Sequence, residues 1–318
     1  MLQKKNMIIT VTLNPAMDKT LAIDNFTLGI VNRVSNLRYD IGGKGINVSK
    51  VLKNFNVNST CTGFLGGILE KTFIEELNSR GIDTRFIHIK ENSRTNTKIV
   101  DTTKKVYTDI NEAGPEISEN ELKMFLDEFG NMCNKDDIVV LAGGVSPSVP
   151  KDIYAQLTKI AKEKGAFVIL DADGELLKEG IKEKPDVIKP NNHELVRLLN
   201  LESDSEKELI KAAKLLQSKG IANILISLGE KGALFITGEN IYHSKGVKVD
   251  VKSTVGAGDS MVAGLVYSKL NNYEPSEALK FAASCGTAAV TLEGTKACTL
   301  EQVQEMFRKI EVEIKEED

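Results

Sequence analysis

The 318-residue chain has no tryptophan, only three histidines and only four cysteines. Cys61, Cys133, Cys285 and Cys298 are scattered, with no CxxC pair among them. That spacing argues against a structural zinc site and a disulfide framework, and fits reduced thiols in a cytoplasmic protein. No apolar run approaches the roughly 20 residues of a membrane span. Residues 1–10 hold two lysines and a short apolar run, without a signal-peptide core or cleavage site; they read as a first strand. Lys and Arg number 41 against 45 Asp and Glu, a formal net charge of −4, partly carried by the acidic tail 311–318. No basic stripe is present, so neither nucleic acid nor a membrane is an expected partner. The common nucleotide motifs are also missing. No Walker loop occurs, and Gly256-x-Gly258 lacks the third glycine of the dinucleotide fingerprint, since Met261 stands there. The stretch also lies far from the N-terminal βα unit where that fingerprint belongs, which excludes a Rossmann dehydrogenase.

What is present is a rhythm. Apolar runs at 7–13, 58–64, 137–142, 166–171, 186–189, 223–227 and 233–237 read as strands buried on both faces. Helical patterns at 45–54, 69–80, 119–132, 151–164, 207–219, 258–270, 275–291 and 300–309 alternate with them. The alternation predicts one α/β domain over 1–318, a doubly wound, mostly parallel sheet flanked by helices. Two segments break the rhythm, near 19–41 and 93–111. They alternate polar and apolar residues and read as half-exposed antiparallel strands. They are either ordinary edge hairpins or a small β-sheet lid, which would cover a pocket or form a dimer surface. The tail 311–318 is expected to fray.

Thr254-Val255-Gly256-Ala257-Gly258-Asp259-Ser260 carries the most chemistry. It joins a small-residue turn, a helix start and one carboxylate. Amides without intrahelical partners point out of a helix start, and the helix dipole adds positive charge there. Glycines let an anion come close. An anion hole beside a base is what a phosphoryl-transfer enzyme needs. A carboxylate at a helix start is expected to stay ionised, which would make Asp259 a weak base.

Four further segments stand out. Gly42-Gly43-Lys44-Gly45-Ile46-Asn47 links a lid strand to a helix, as a tight turn or as a hinge and substrate clamp. Asp18 follows the first strand, where carboxyl ends of strands face the ligand crevice. It is a turn aspartate or a ligand for sugar hydroxyls. After another strand, Lys189-Pro190-Asn191-Asn192-His193-Glu194 predicts a helix capped by Asn191, with Glu194 completing a capping box. Glu194 could also hold water on Mg²⁺, which usually keeps several waters. Ser227-Leu228-Gly229-Glu230-Lys231-Gly232 reads as a hairpin turn. Arg33 and Arg94 fall in the lid segments, and a guanidinium fork suits phosphate.

Together and in this order, these segments resemble the PfkB (ribokinase-like) carbohydrate kinase family along nearly the whole chain. The most specific pieces are GGKGIN at 42–47 and STVGAGDSMVAG at 253–264. TLNPAMD at 12–18, KPNNHEL at 189–195 and SRTNTK at 93–98 are similar to its hexose-phosphate branch. The resemblance implies a ribokinase-like core with a β-sheet lid, often shared in a homodimer. It implies ATP and Mg²⁺ as cofactors and a ketohexose monophosphate as substrate. D-Fructose 1-phosphate would give D-fructose 1,6-bisphosphate, with tagatose 6-phosphate as the alternative acceptor. A non-catalytic sugar-phosphate sensor is the distant alternative.

Roles follow by position. Asp259 would be the base, and Gly256, Ala257 and Gly258 the anion hole. Asp18, Gly43, Lys44 and Asn47 would hold the sugar. Arg94, joined by Arg33 from a partner subunit's lid, would hold the substrate's phosphate. Lys189, Asn191, Ser227, Gly229, Gly232, Thr254, Val255 and Ser284 would line the ATP site with the anion-hole glycines. Glu194 would act on Mg²⁺ through water.

Overall fold

The computed structural model describes residues 6–315. Its first third runs β1 (Ile8–Thr12), β2 (Ala16–Ile23), β3 (Val34–Gly42), α1 (Lys44–Asn54), β4 (Thr60–Gly66), α2 (Glu70–Ser79) and β5 (Asp83–Ile89). Then come β6 (Arg94–Asp101), β7 (Val106–Asn111), α3 (Glu119–Met132), β8 (Ile138–Ala142), α4 (Ile153–Glu163), β9 (Phe167–Asp171) and α5 (Gly174–Gly180). The last part holds β10 (Val187–Ile188), α6 (Asn192–Leu199), α7 (Glu206–Ser218), β11 (Asn223–Ser227), β12 (Gly232–Thr237) and β13 (Asn240–Lys245). It closes with α8 (Ala257–Leu270), α9 (Pro275–Val290), α10 (Leu300–Lys309) and β14 (Val312–Lys315).

Ten strands form the main sheet, in the order β14-β13-β12-β11-β10-β9-β8-β1-β4-β5. From β5 to β11 every neighbour is parallel; β12, β13 and β14 add an antiparallel margin. The continuous apolar runs have a direct cause. Ile9, Val11, Val139 and Leu141 point to the layer of α3, α4 and α7, while Ile8, Ile138 and Val140 point to that of α1, α8 and α9. A strand with helices on both faces has no polar face.

β2, β3, β6 and β7 make a separate four-stranded sheet, in the order β3-β2-β6-β7. This is the expected lid, with one correction. The two hairpins are antiparallel, but the central pair β2–β6 is parallel. Both strands leave the main sheet at its carboxyl edge, just after β1 and β5, so they run outward together. Met17 and Ile41 anchor the lid's base by packing with Ile46, Leu65, Phe73 and Leu77.

The tail also departs from expectation. Residues 312–315 pair with β13 instead of fraying, with Tyr242 opposite Ile314. The acidic residues have partners: Glu313 lies 2.8 Å from Lys245, and Lys315 lies 3.1 Å from Glu206. Residues 316–318 of the tail, like 1–5, lie outside the described residues. Strands β5 and β13 and helix α5 have no counterpart among the elements expected from the sequence. No helix among the described residues is long and apolar enough to cross a membrane.

Candidate active site

The carboxyl ends of β1, β8, β9 and β10 open into one cleft of about 1790 Å³, roofed by the lid. The start of α8 forms its floor. Gly256 precedes that helix with φ +82°, a left-handed conformation that favours glycine, and so turns the chain into α8. The amides of the first turn then lack intrahelical partners.

Asp259 lies in that turn, 6% exposed. Its Oδ2 accepts a 2.8 Å hydrogen bond from Asn47 Nδ2 on α1. Burial, and then the nearby Asp171 carboxylate, push its pKa up to about 6, against the pull of Lys44, Asn47 and Lys189. This corrects the expectation of a weak, fully ionised base. The dipole of the helix start is outweighed by loss of water around the carboxylate.

Asp171, at the end of β9, is the principal residue that sequence reasoning missed. It is 1% exposed and lies 3.0 Å from Lys44 Nζ and 3.4 Å from Lys189 Nζ. Burial opposes its ionisation, but the two ammonium groups prevail and hold its pKa below the ordinary value. Reciprocally, Lys44 is raised: burial opposes its charge, and Asp171 and Asp259 outweigh burial. Asp171 Oδ2 is buried without a hydrogen-bond partner. The signal that could have found it was its place at the carboxyl end of an expected strand.

One half of the cleft is built from the lid and the GGKG turn. Gly43 has φ +134°, and a side chain there would collide with Thr12. Asp18 Oδ1 accepts a 3.1 Å bond from Asn96 on β6, and burial raises its pKa. Arg94 starts β6, half-buried, and donates to the carbonyls of Asn14 at 3.1 Å and Glu112 at 2.9 Å. Asn14, Asn96 and Lys98 also line this half, and none was expected there.

On the other side, the capping box at 191–194 forms as expected. Asn191 Oδ1 accepts from the Glu194 amide, and Glu194 Oε2 from the Asn191 amide, both at 2.8 Å. This leaves Oε1 outside the box. Lys189, Asn191, Ser227, Gly229, Gly232, Thr254 and Val255 all line the cleft with Glu194.

One expected site residue is not brought to it. Ser284 is fully buried in α9 and donates to the Lys280 carbonyl at 2.7 Å; Ala283, Gly286 and Thr287 face the cleft instead. Arg33, expected to reach the site from a partner subunit's lid, is exposed in the β2–β3 connection, outside the cleft of its own chain.

Residues 4–302 match the pfkB family carbohydrate kinase domain. The chain belongs to that family. It is 39% identical over 308 residues to a 1-phosphofructokinase of Borreliella burgdorferi, covering 96% of this chain and 98% of that protein. It is 34% identical to a tagatose-6-phosphate kinase of Staphylococcus epidermidis, covering 96% and 99%. Among solved structures, phosphofructokinase-2 from Escherichia coli in complex with potassium superposes with a TM-score of 0.90 at 25% identity, covering 96% and 98%. The family makes the chain a carbohydrate kinase, a phosphotransferase with ATP as donor.

Among the described residues no group of three or more His, Cys, Asp or Glu could hold a metal ion. The carboxylate chemistry still fits Mg²⁺ arriving with the nucleotide. Mg²⁺ keeps several waters and uses one or two carboxylates plus substrate phosphates. Glu194, which lines the cleft with one carboxylate oxygen outside the capping box, would supply such an oxygen.

Proposed function

We propose that the protein transfers the γ-phosphoryl group of ATP to D-fructose 1-phosphate, giving D-fructose 1,6-bisphosphate and ADP. One observation carries the reading: a buried carboxylate of raised proton affinity stands in the first turn of a glycine-led helix, opposite a polar lid. Asp259 takes the proton from the acceptor hydroxyl as its oxygen bonds to phosphorus and the bridging bond to ADP breaks. Phosphoryl transfer passes through a loose transition state, so little proton transfer is needed early, and positioning and charge dominate. The amides of Gly256, Ala257 and Gly258 hold the transferring group. Mg²⁺, held by the nucleotide with Glu194 through water, would neutralise phosphate charge.

Asp18, Gly43, Lys44 and Asn47 hold the sugar, and Arg94 its phosphate. Lys189, Asn191, Ser227, Gly229, Gly232, Thr254 and Val255 line the nucleotide side. A lid over the acceptor excludes water, which would otherwise hydrolyse ATP. The lid's outer face carries exposed apolar side chains, and we assign it to contact with a second copy of the chain.

Tagatose 6-phosphate is the second reading, favoured by the 34% identity to a tagatose-6-phosphate kinase. ADP release measured across hexoses and hexose phosphates separates the two. The proposal requires the highest kcat/KM with fructose 1-phosphate; preference for tagatose 6-phosphate would replace it, and no turnover with any acceptor would defeat both.

A further inference from the structure

A hexose monophosphate brings about −1.5 to −2 charges at neutral pH. It would enter a cleft already lined by Asp18, Asp40, Asp109, Asp171 and Asp259. Cations must answer that charge, and most of those on the sugar side are committed elsewhere. Lys44 is held by buried Asp171. Arg38 is bound to Asp40 at 2.6 Å, and its guanidinium packs against Gly294 in the turn after α9. Arg94 uses three of its five N–H groups on the carbonyls of Asn14 and Glu112, which leaves two. A phosphate monoester presents three terminal oxygens.

Lys98 is the remaining cation among the lid residues that line the cleft. Its Nζ lies 3.3 Å from Oδ1 of Asp109, which is 53% exposed. An exposed ion pair contributes little and exchanges readily for a better anion. The strand register puts Lys98 in the right place. Pairing of β2 with β6 sets Ala16 beside Arg94, Asp18 beside Asn96 and Thr20 beside Lys98. Alternate residues share a face, so Arg94, Asn96 and Lys98 all line the cleft. Arg94 and Lys98 therefore bracket the Asp18–Asn96 pair, each about 7 Å of strand away from Asn96.

We propose that Lys98 is the second cation for the phosphate already on the substrate, and that Asp109 holds its ammonium until that phosphate displaces it. The inference rests on the sugar-phosphate reading above and adds Lys98, from the same subunit as Arg94, beside the part expected of Arg33 from a partner subunit's lid. It makes Lys98 a determinant for phosphorylated acceptors, because a neutral sugar offers this ammonium no opposite charge to pair with.

Steady-state kinetics of Lys98→Met test it, since the aliphatic stem remains and only the charge is lost. KM for fructose 1-phosphate should rise roughly 10- to 100-fold, the range of one charge-assisted hydrogen bond. KM for ATP and kcat should stay near wild type. Lys98→Arg should recover most of the loss, and Asp109→Asn, which removes the competing anion, should lower KM for fructose 1-phosphate. An unchanged sugar-phosphate KM in Lys98→Met overturns the proposal, as does an equal rise in KM for ATP. Those outcomes, beside an active wild type, defeat this inference alone; a wild type inert toward every hexose phosphate defeats it together with the reading beneath it.

Discussion

Asp259 sits where two tendencies oppose each other. A helix start favours a carboxylate, and burial beside Asp171 favours the acid. The outcome, a pKa near 6, places the base close to working pH, where general-base catalysis is most effective. For the free enzyme, kcat/KM for the sugar should fall on the acid side with a midpoint near pH 6; a profile flat down to pH 4 would remove Asp259 from that role. Asp259→Asn should lower kcat by about 10²- to 10⁴-fold while nucleotide binding persists. The same substitution should stabilise the fold. The folded-state pKa lies above the unfolded value of about 3.9, so the folded protein holds its proton to higher pH. The penalty for ionising Asp259 is thus absent below about pH 4, grows between pH 4 and 6, and is complete above. Thermal melts should show Asp259→Asn more stable at pH 7, on the order of 1–3 kcal/mol, and little changed at pH 4. Equal shifts at both values would point to packing, not charge.

Helix α6 shows what the sequence makes legible at the scale of an element. Its capping box depends on two side chains three residues apart, so the motif and the structure coincide at Asn191 and Glu194. Asn191→Ala should cost about 1 kcal/mol of stability. It keeps the backbone amide that holds Glu194 Oε2, so the Mg²⁺ dependence is tested by Glu194→Ala, which should raise the Mg²⁺ concentration needed for half-maximal rate. Unchanged Mg²⁺ dependence with lowered stability would confine Glu194 to capping. The turn before α8 and the GGKG turn are legible for the same local reason. Asp171 is not, because its meaning comes from Lys44, 127 residues earlier in the chain. The direction of β6 beside β2 is hidden too, since alternation marks a strand without giving its partner. Ser284 fails by one position: a residue is about 100° of helix, enough to turn the hydroxyl from the cleft to the Lys280 carbonyl.

At the scale of the whole molecule, the lid has two unlike faces. Arg38 and Asp40 of β3 line the cleft, while Leu37 and Tyr39, which alternate with them, are 47% and 54% exposed. Val106 and Ile110 of β7, which alternate with cleft-lining Asp109 and Asn111, are more than half exposed on the same small sheet. Neighbouring exposed apolar residues of this kind mark a contact surface more often than a solvated one. If a second lid covers them, the protein in solution should have twice the chain mass of 34.8 kDa. Leu37→Asp with Tyr39→Asp should then convert it to single chains, as read by light scattering after gel filtration. Both side chains point away from the cleft, so the change should spare the chemistry and loosen the lid. The variant should therefore lose kcat/KM for the sugar phosphate and gain sugar-independent ATP hydrolysis, because a lid without its partner closes less completely over the acceptor. A wild type that runs as a single chain would return the apolar face to solvent. A monomeric variant with unaltered kinetics would show that the lid closes without its partner.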